Sequence, residues 1–347
     1  MSPAAQPPDA AGARRPTLNA VAARAGVGRG TVSRVINGSP KVSSRSRAAV
    51  ERAIAELGYV PNRAARTLVT QRTDSVALVV PEAETRLFSE PYFSGIIRGV
   101  SAELAGVGMQ LLLVLGRDGE EQDRLASYLS AQRVDGVLMV AVHRDDRLPD
   151  LLEALSVPTV LAGRRGEREP LGHVRADNGG GARLAVRHLL DRGRRVVGTI
   201  TGPLDMDVAR ARLEGYREAL EQAGVTADDE LIAQGDFTEE GGRAAMRELL
   251  RRRPDLDAVF AASDVTASGA VLELRASGRR VPEDVAVVGF DDSIVARHID
   301  PPLTSVRQPI EEMGRTMATL LLAEIAHPGN GHREVVLPTE LVIRAST

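Results

Sequence analysis

The chain has 347 residues, 43% hydrophobic and 3% aromatic, and carries no cysteine. That excludes disulfides, thiolate metal sites and cysteine nucleophiles, fits a cytoplasmic protein, and at about 100–200 residues per domain predicts two or three folded units. The net charge of −3 conceals an asymmetry: residues 14–72 hold twelve basic and two acidic side chains, a net +10 against −13 for the rest of the chain.

Arginine carries nearly all of the positive charge, since Lys41 is the only lysine. A basic head on an acidic body is the electrostatic footprint of nucleic-acid binding, although charge alone fits a solvated basic surface equally well. No run of about 18 apolar residues is present, which argues against a transmembrane helix. Residues 1–15 are rich in Pro and Ala, lack the basic-then-apolar order of a secretion signal and read as a disordered tail.

Residues 16–61 carry helical periodicity. Thr17 can cap a first helix whose Leu18, Val21 and Ala22 share one buried face, and Gly26 can supply the left-handed backbone of the turn that ends it. Val27 reads as a core residue. A second helix carries Thr31, Val32, Val35 and Ile36 and stops at Asn37-Gly38. A third starts at Ser43 or Ser44, lines Val50, Ile54 and Leu57 on one face, and ends at Gly58. Two short helices across a glycine-containing turn, with a third in support, make the helix-turn-helix plan. Residues 62–74 read as a hinge and linker. Asn62 can cap two turns over 63–68, and so short a helix should form only on binding.

The runs Thr17 to Ala22, Ala25-Gly26-Val27, Thr31 to Asn37, Tyr59 to Ala65 and Leu68 resemble the head of the lac-repressor-type (LacI/GalR) transcription regulators. That resemblance implies a second helix in the major groove, its N-terminal residues meeting base edges. The implied DNA-binding set is Thr17, Arg29, Gly30, Thr31, Ser33, Arg34, Asn37, Asn62, Ala65 and Leu68. Arg29 and Arg34 can pair bidentately with guanine, with phosphate contact as the alternative. Thr31 and Ser33 suit phosphate or capping contacts. Leu68 falls where the family inserts a leucine wedge into the minor groove of a dimer-bound operator, against the alternative that it docks the linker. Gly28 departs from the family's usual capping serine and Gly30 from its usual reading side chain.

From Ser75 onward apolar strands alternate with amphipathic helices. Strands are predicted at 76–80, 110–115, 136–141, 158–161, 196–201, 257–262 and 285–289. Helices are predicted at 95–105, 122–132, 181–192, 209–223, 241–252 and 267–278. Alternating units of this kind give parallel sheets covered by helices, and their number predicts two subdomains. A ligand then belongs off the carboxyl ends of the strands.

The body resembles the periplasmic-binding-protein-like core of the same family. The runs that carry the likeness are Asp177-Asn178, Arg210 to Tyr216, Ser263-Asp264, Val281 to Val285, Val287 to Asp292, Pro301 to Val306 and Leu337 to Leu341. It implies a cleft in which Arg212, Ser263, Asp291 and Gln308 bind a sugar-like effector, with Tyr92 and Phe93 as an apolar wall. Arg164 is a weaker candidate beside Gly163. A carboxylate and a guanidinium can bind vicinal hydroxyls together as acceptor and forked donor. Plainer roles are a turn or cap for Asp291, an ion pair with Glu214 for Arg212, and a crossover turn for Asp177-Asn178. The expected N-subdomain spans about 75–175 and 306–327, and the C-subdomain about 176–305 and 328–347.

The rival class is an enzyme or small-molecule-binding protein on a Rossmann-like body, which fold alone does not exclude. Gly26 to Gly30 imitates a dinucleotide fingerprint but follows a helix, and P-loop, zinc-pair and nucleophile-elbow motifs are lacking. The six histidines are scattered. The expectation is therefore an α-helical helix-turn-helix head plus an α/β body of two Rossmann-like (periplasmic-binding-protein-like) subdomains with parallel sheets. It is expected to act as a sequence-specific transcriptional regulator and repressor, a homodimer on double-stranded operator DNA controlled by a sugar-like effector. No catalytic residue, metal, cofactor or membrane partner is expected.

Overall fold

A computed structural model describes residues 16–36, 38–59, 72–82, 84–116, 119–131, 133–329 and 333–347. The chain divides into two compact units, residues 1–72 and 73–347.

The first unit is built on α1 (Leu18–Ala25), α2 (Arg29–Ile36) and α3 (Ser44–Leu57). Local chemistry sets their ends. Thr17 Oγ1 accepts from Ala20 N at 3.2 Å, and Ser43 Oγ accepts from Ser46 N at 3.2 Å, each satisfying an otherwise unpaired helix-start donor. Gly26 takes φ 65°, a left-handed value that costs a side-chain-bearing residue steric strain, and turns the chain between α1 and α2. The three helices bury Val21, Ala22, Val32, Val35, Val50, Ala53 and Tyr59 as one core.

The second unit has two six-stranded sheets. The first contains β1 (Ser75–Val80), β2 (Gln110–Leu115), β3 (Gly136–Met139), β4 (Thr159–Ala162), β5 (Gly172–Ala176) and β11 (Glu334–Leu337). The second contains β6 (Val197–Thr201), β7 (Ile232–Gln234), β8 (Ala258–Ala261), β9 (Ala286–Asp291), β10 (Thr304–Arg307) and β12 (Glu340–Val342). The orders are β2-β1-β3-β4-β5-β11 and β7-β6-β8-β9-β10-β12. Every pairing is parallel except β10 with β12. All six residues of β1 are buried, as a strand covered by helices on both faces requires.

The helices of this unit are α4 (Glu84–Ser89), α5 (Pro91–Gly106), α6 (Gly119–Ser130), α7 (Leu148–Ala154), α8 (Asn178–Asp191), α9 (Asp207–Gln222), α10 (Glu239–Arg252), α11 (Asp264–Ala276), α12 (Ile294–His298) and α13 (Ile310–Ala326). Each sheet with its helices forms a lobe. In both lobes the strand order reverses beside the first strand, leaving a crevice at the carboxyl ends.

The chain passes between the lobes after β5, after β10 and after β11. The subdomain limits therefore differ from those expected. Residues 306–307 finish β10 in the second lobe, whereas α13 packs on α5 and on β3 to β5 in the first. Residues 334–337, expected in the second lobe, pair with β5 in the first. His173 N donates to Arg333 O at 2.9 Å and Asp177 N to Leu337 O at 2.8 Å, so backbone bonds set this edge strand and its side chains give it little pattern. The body also begins two residues before the expected Ser75. Thr73 N and Asp74 N donate to the Asp135 carboxylate at 2.6 and 2.9 Å.

Among the described residues no helix is long and apolar enough to cross a membrane.

Candidate functional site

In the first unit the start of α2 is exposed at Arg29 and Gly30, and Arg34 lies one turn on, also exposed. Thr31 and Ser33 are half-buried on the same helix. Val32 and Val35 face inward, so the apolar spacing of α2 turns its arginines outward. Gly28 caps through its backbone alone, its carbonyl accepting from Thr31 N at 2.9 Å. Thr17 is exposed and occupied as the α1 cap. Lys41, Arg45 and Arg52 add exposed positive charge, and Arg24 pairs with Glu56. Asn37, Asn62, Ala65 and Leu68 lie outside the described residues.

In the second unit a cleft opens at the carboxyl ends of both sheets. All seven residues expected there line it: Tyr92, Phe93, Arg164, Arg212, Ser263, Asp291 and Gln308. They arrive from α5, from the turn after β4, from α9, from the ends of β8 and β9, and from just beyond β10. Tyr92 and Phe93 meet edge to face, ring centres 5.5 Å apart, forming an apolar wall on the first lobe.

The polar floor belongs to the second lobe. Arg212 is buried on α9, so the surface pair with Glu214 is not formed. Its Nε donates to Asn178 Oδ1 at 2.9 Å, another donor reaches Ala262 O, and the guanidinium lies 3.6 Å from the centre of the Phe290 ring. Burial lowers its pKa, opposed by the nearby Asp291 carboxylate. Asp291 ends β9 with φ 110°, a strained value for a residue with a side chain. Ser293, not Asp291, caps α12. Gln308 Nε2 donates to Asp291 Oδ1 at 2.6 Å, and an Arg212 nitrogen sits 3.9 Å from that oxygen. Burial holds the Asp291 carboxyl well above the usual range, with Arg212 pulling it back.

The strained turn is held from below. Asp292 N donates to Ser305 Oγ at 3.0 Å, that hydroxyl donates to Asp264 Oδ1 at 2.5 Å, and Ser293 N donates to Asp264 Oδ2 at 2.7 Å. Burial raises the Asp264 carboxyl to about 6. The Asp292 carboxylate is fully enclosed by Arg307, Arg344 and Arg297.

Two expected ligands are already engaged. Ser263 Oγ caps α11, accepting from Thr266 N at 3.1 Å. Arg164 Nε pairs with Asp207 Oδ2 at 3.1 Å across the cleft. Several lining residues escaped sequence reasoning. Against the expected turn at Asp177-Asn178, Asp177 caps α8 while Asn178 reaches the cleft and orients Arg212. Glu90 pairs with Arg86 at 3.0 Å, and burial raises its pKa. Phe237, at φ 66°, faces the Arg86 guanidinium from the opposite lobe at 5.3 Å. A Cβ on Gly202 would lie 2.1 Å from that ring, so only glycine admits it. The dipeptide Asp177-Asn178 offered a signal for Asn178; no motif marks Phe237.

Comparisons with known proteins place both units. Residues 17–62 match the model of bacterial regulatory proteins of the lacI family, and residues 186–347 that of a periplasmic binding protein-like domain. The HTH-type transcriptional regulator CelR of Thermobifida fusca is 57% identical over 335 residues, covering 96% of this chain and 98% of that protein. The HTH-type transcriptional repressor CytR of Escherichia coli K12 is 35% identical, covering 95% and 96%. Among solved structures, a CelR–cellobiose complex is 55% identical with a TM-score of 0.78, covering 96% of this chain and 100% of that one. A lac repressor dimer bound to operator and the anti-inducer ONPF is 28% identical with a TM-score of 0.85, covering 96% and 99%.

Proposed function

Because the chain belongs to the lacI family of bacterial regulatory proteins, we propose that it is a cytoplasmic repressor whose hold on operator DNA is set by a glucose disaccharide of the cellobiose kind in the body cleft. One observation carries the reading of the ligand: an apolar wall, Tyr92 and Phe93, faces the polar group Arg212, Asp291 and Gln308 in one cleft. A pyranose has the same two sides, an apolar ring face and an edge of vicinal hydroxyls. The CelR relative is solved with cellobiose, which narrows the choice among sugars.

Arg29 and Arg34 read base edges, Thr31 and Ser33 meet phosphates, and a dimer sets two heads on two half-sites. Asn62, Ala65 and Leu68 belong to a hinge that orders on DNA, with Leu68 as its wedge. The ligand changes how the two lobes close and so the operator affinity. Its sign follows from which state it binds better, with a coupling of about 1–3 kcal/mol. The cleft binds without turnover.

The test is calorimetric titration with cellobiose, followed by fluorescence anisotropy on an operator selected from random DNA, with and without the sugar. Binding is expected, with an operator affinity altered about fivefold or more and the sugar recovered intact. No binding removes the ligand assignment; a new product in the recovered sugar makes the chain an enzyme.

A further inference from the structure

The rim of the cleft carries a charged cluster with no part in the site above. His143 follows β3 and Glu82 follows β1, both on the first lobe; Asp205 follows β6 on the second. His143 Nδ1 lies 2.6 Å from Asp205 Oδ2, and its Nε2 lies 3.5 Å from Glu82 Oε1. One imidazole thus joins carboxylates of opposite lobes. It can donate from both ring nitrogens only when protonated. The same contact is closed a second time by backbone, Arg144 N donating to Asp205 O at 3.0 Å.

We propose that His143, Asp205 and Glu82 form a proton-dependent clasp that holds the two lobes closed over the effector; this rests on the cleft being the effector site. A second ion pair, Arg164 with Asp207, also crosses the rim, but a guanidinium stays charged at every physiological pH. An imidazole at the same mouth makes its own link switchable. The charged groups facing His143 are Glu82, backed by Arg86, on the first lobe, Asp146 on its own loop and Asp205 across the cleft. The bond to Glu82, helped by that to Asp205 and opposed by burial, lifts the imidazole from 6.5 to about 9. The sign is that of a raised cation: the clasp is complete below about pH 6.5 and is lost as pH rises through about 9.

The test follows the histidine ring resonances of the full-length chain against pH, assigned with His143→Gln, in wild type and Asp205→Asn. His143 is expected to titrate far above 6.5 in wild type and about one unit or more lower in Asp205→Asn. Titration near 6.5 in wild type, or a midpoint untouched by Asp205→Asn, overturns the clasp. Stopped-flow release of cellobiose supplies the functional arm. At pH 7 the sugar should leave Asp205→Asn about three- to tenfold faster than wild type, and the gap should close by pH 10. A gap independent of pH also overturns the clasp. Failure of cellobiose to bind either protein removes the sugar assignment instead, and the ring titration then decides the clasp.

Discussion

The head and the body use arginine in opposite ways. In the head, Arg29, Arg34, Arg45 and Arg52 stand in solvent on helices whose inner faces are valine, alanine and isoleucine. In the body, Arg212 is buried and bonded to Asn178, Ala262 and, electrostatically, Asp291. The difference suits the partner proposed for each surface. A polyanion such as DNA is bound by exposed positive charge that displaces counterions, and the contact weakens as salt rises. A neutral polyol has no charge to attract and is recognised by pre-aimed donors and acceptors in a dry pocket, where each side chain needs an internal partner before the ligand arrives.

Four substitutions test this division, beginning where the effect should be largest. Asp291→Ala removes a buried carboxylate and leaves Arg212 without its acidic partner, so cellobiose affinity by calorimetry should fall about a hundredfold or more. Operator affinity without ligand should be unchanged; a matching loss of DNA binding would erase the contrast between the units. Next, Arg29→Ala or Arg34→Ala should relax discrimination at one operator position by about tenfold to a hundredfold in competition binding. If the loss is uniform across sequences and the salt slope drops by about one, that arginine meets phosphate instead. The smallest effect belongs to Thr17→Ala, which removes the α1 cap and should lower head stability by about 1 kcal/mol while leaving the body's thermal transition in place. A cap loss felt by both transitions would mean that the units do not unfold independently.

What could be read beforehand divides along physical lines. The central strands β1, β3, β8 and β9 are short, dense apolar runs, so burial on both faces is written into their composition. β5, β7, β10, β11 and β12 were not predicted. They are three to five residues long and mostly interrupted by polar side chains, and β7, β11 and β12 are edges held by backbone pairing. Helix α13 carries apolar residues around much of its circumference, which leaves little amphipathic contrast to detect. In the cleft, Asp291, Arg212 and Gln308 stood within or beside recognisable runs. The contact of Phe237 with Arg86 joins residues far apart in sequence, and closure between lobes brings them together. The same holds for Asp205 and His143, the latter one of six scattered histidines.

The three passages of the chain between the lobes bear on how the protein is made. The first sheet acquires its outer strand only at 334–337, and the helix covering β3 to β5 is encoded at 310–326. A ribosome therefore delivers the second lobe's β6 to β10 before the first lobe can be finished, and β5 keeps an open edge meanwhile. Among the described residues the core of the head is complete by Tyr59, so the head can fold as it emerges. The two lobes must mature together near the end of synthesis, so a prematurely terminated chain would carry a folded DNA-facing head and no regulator to govern it.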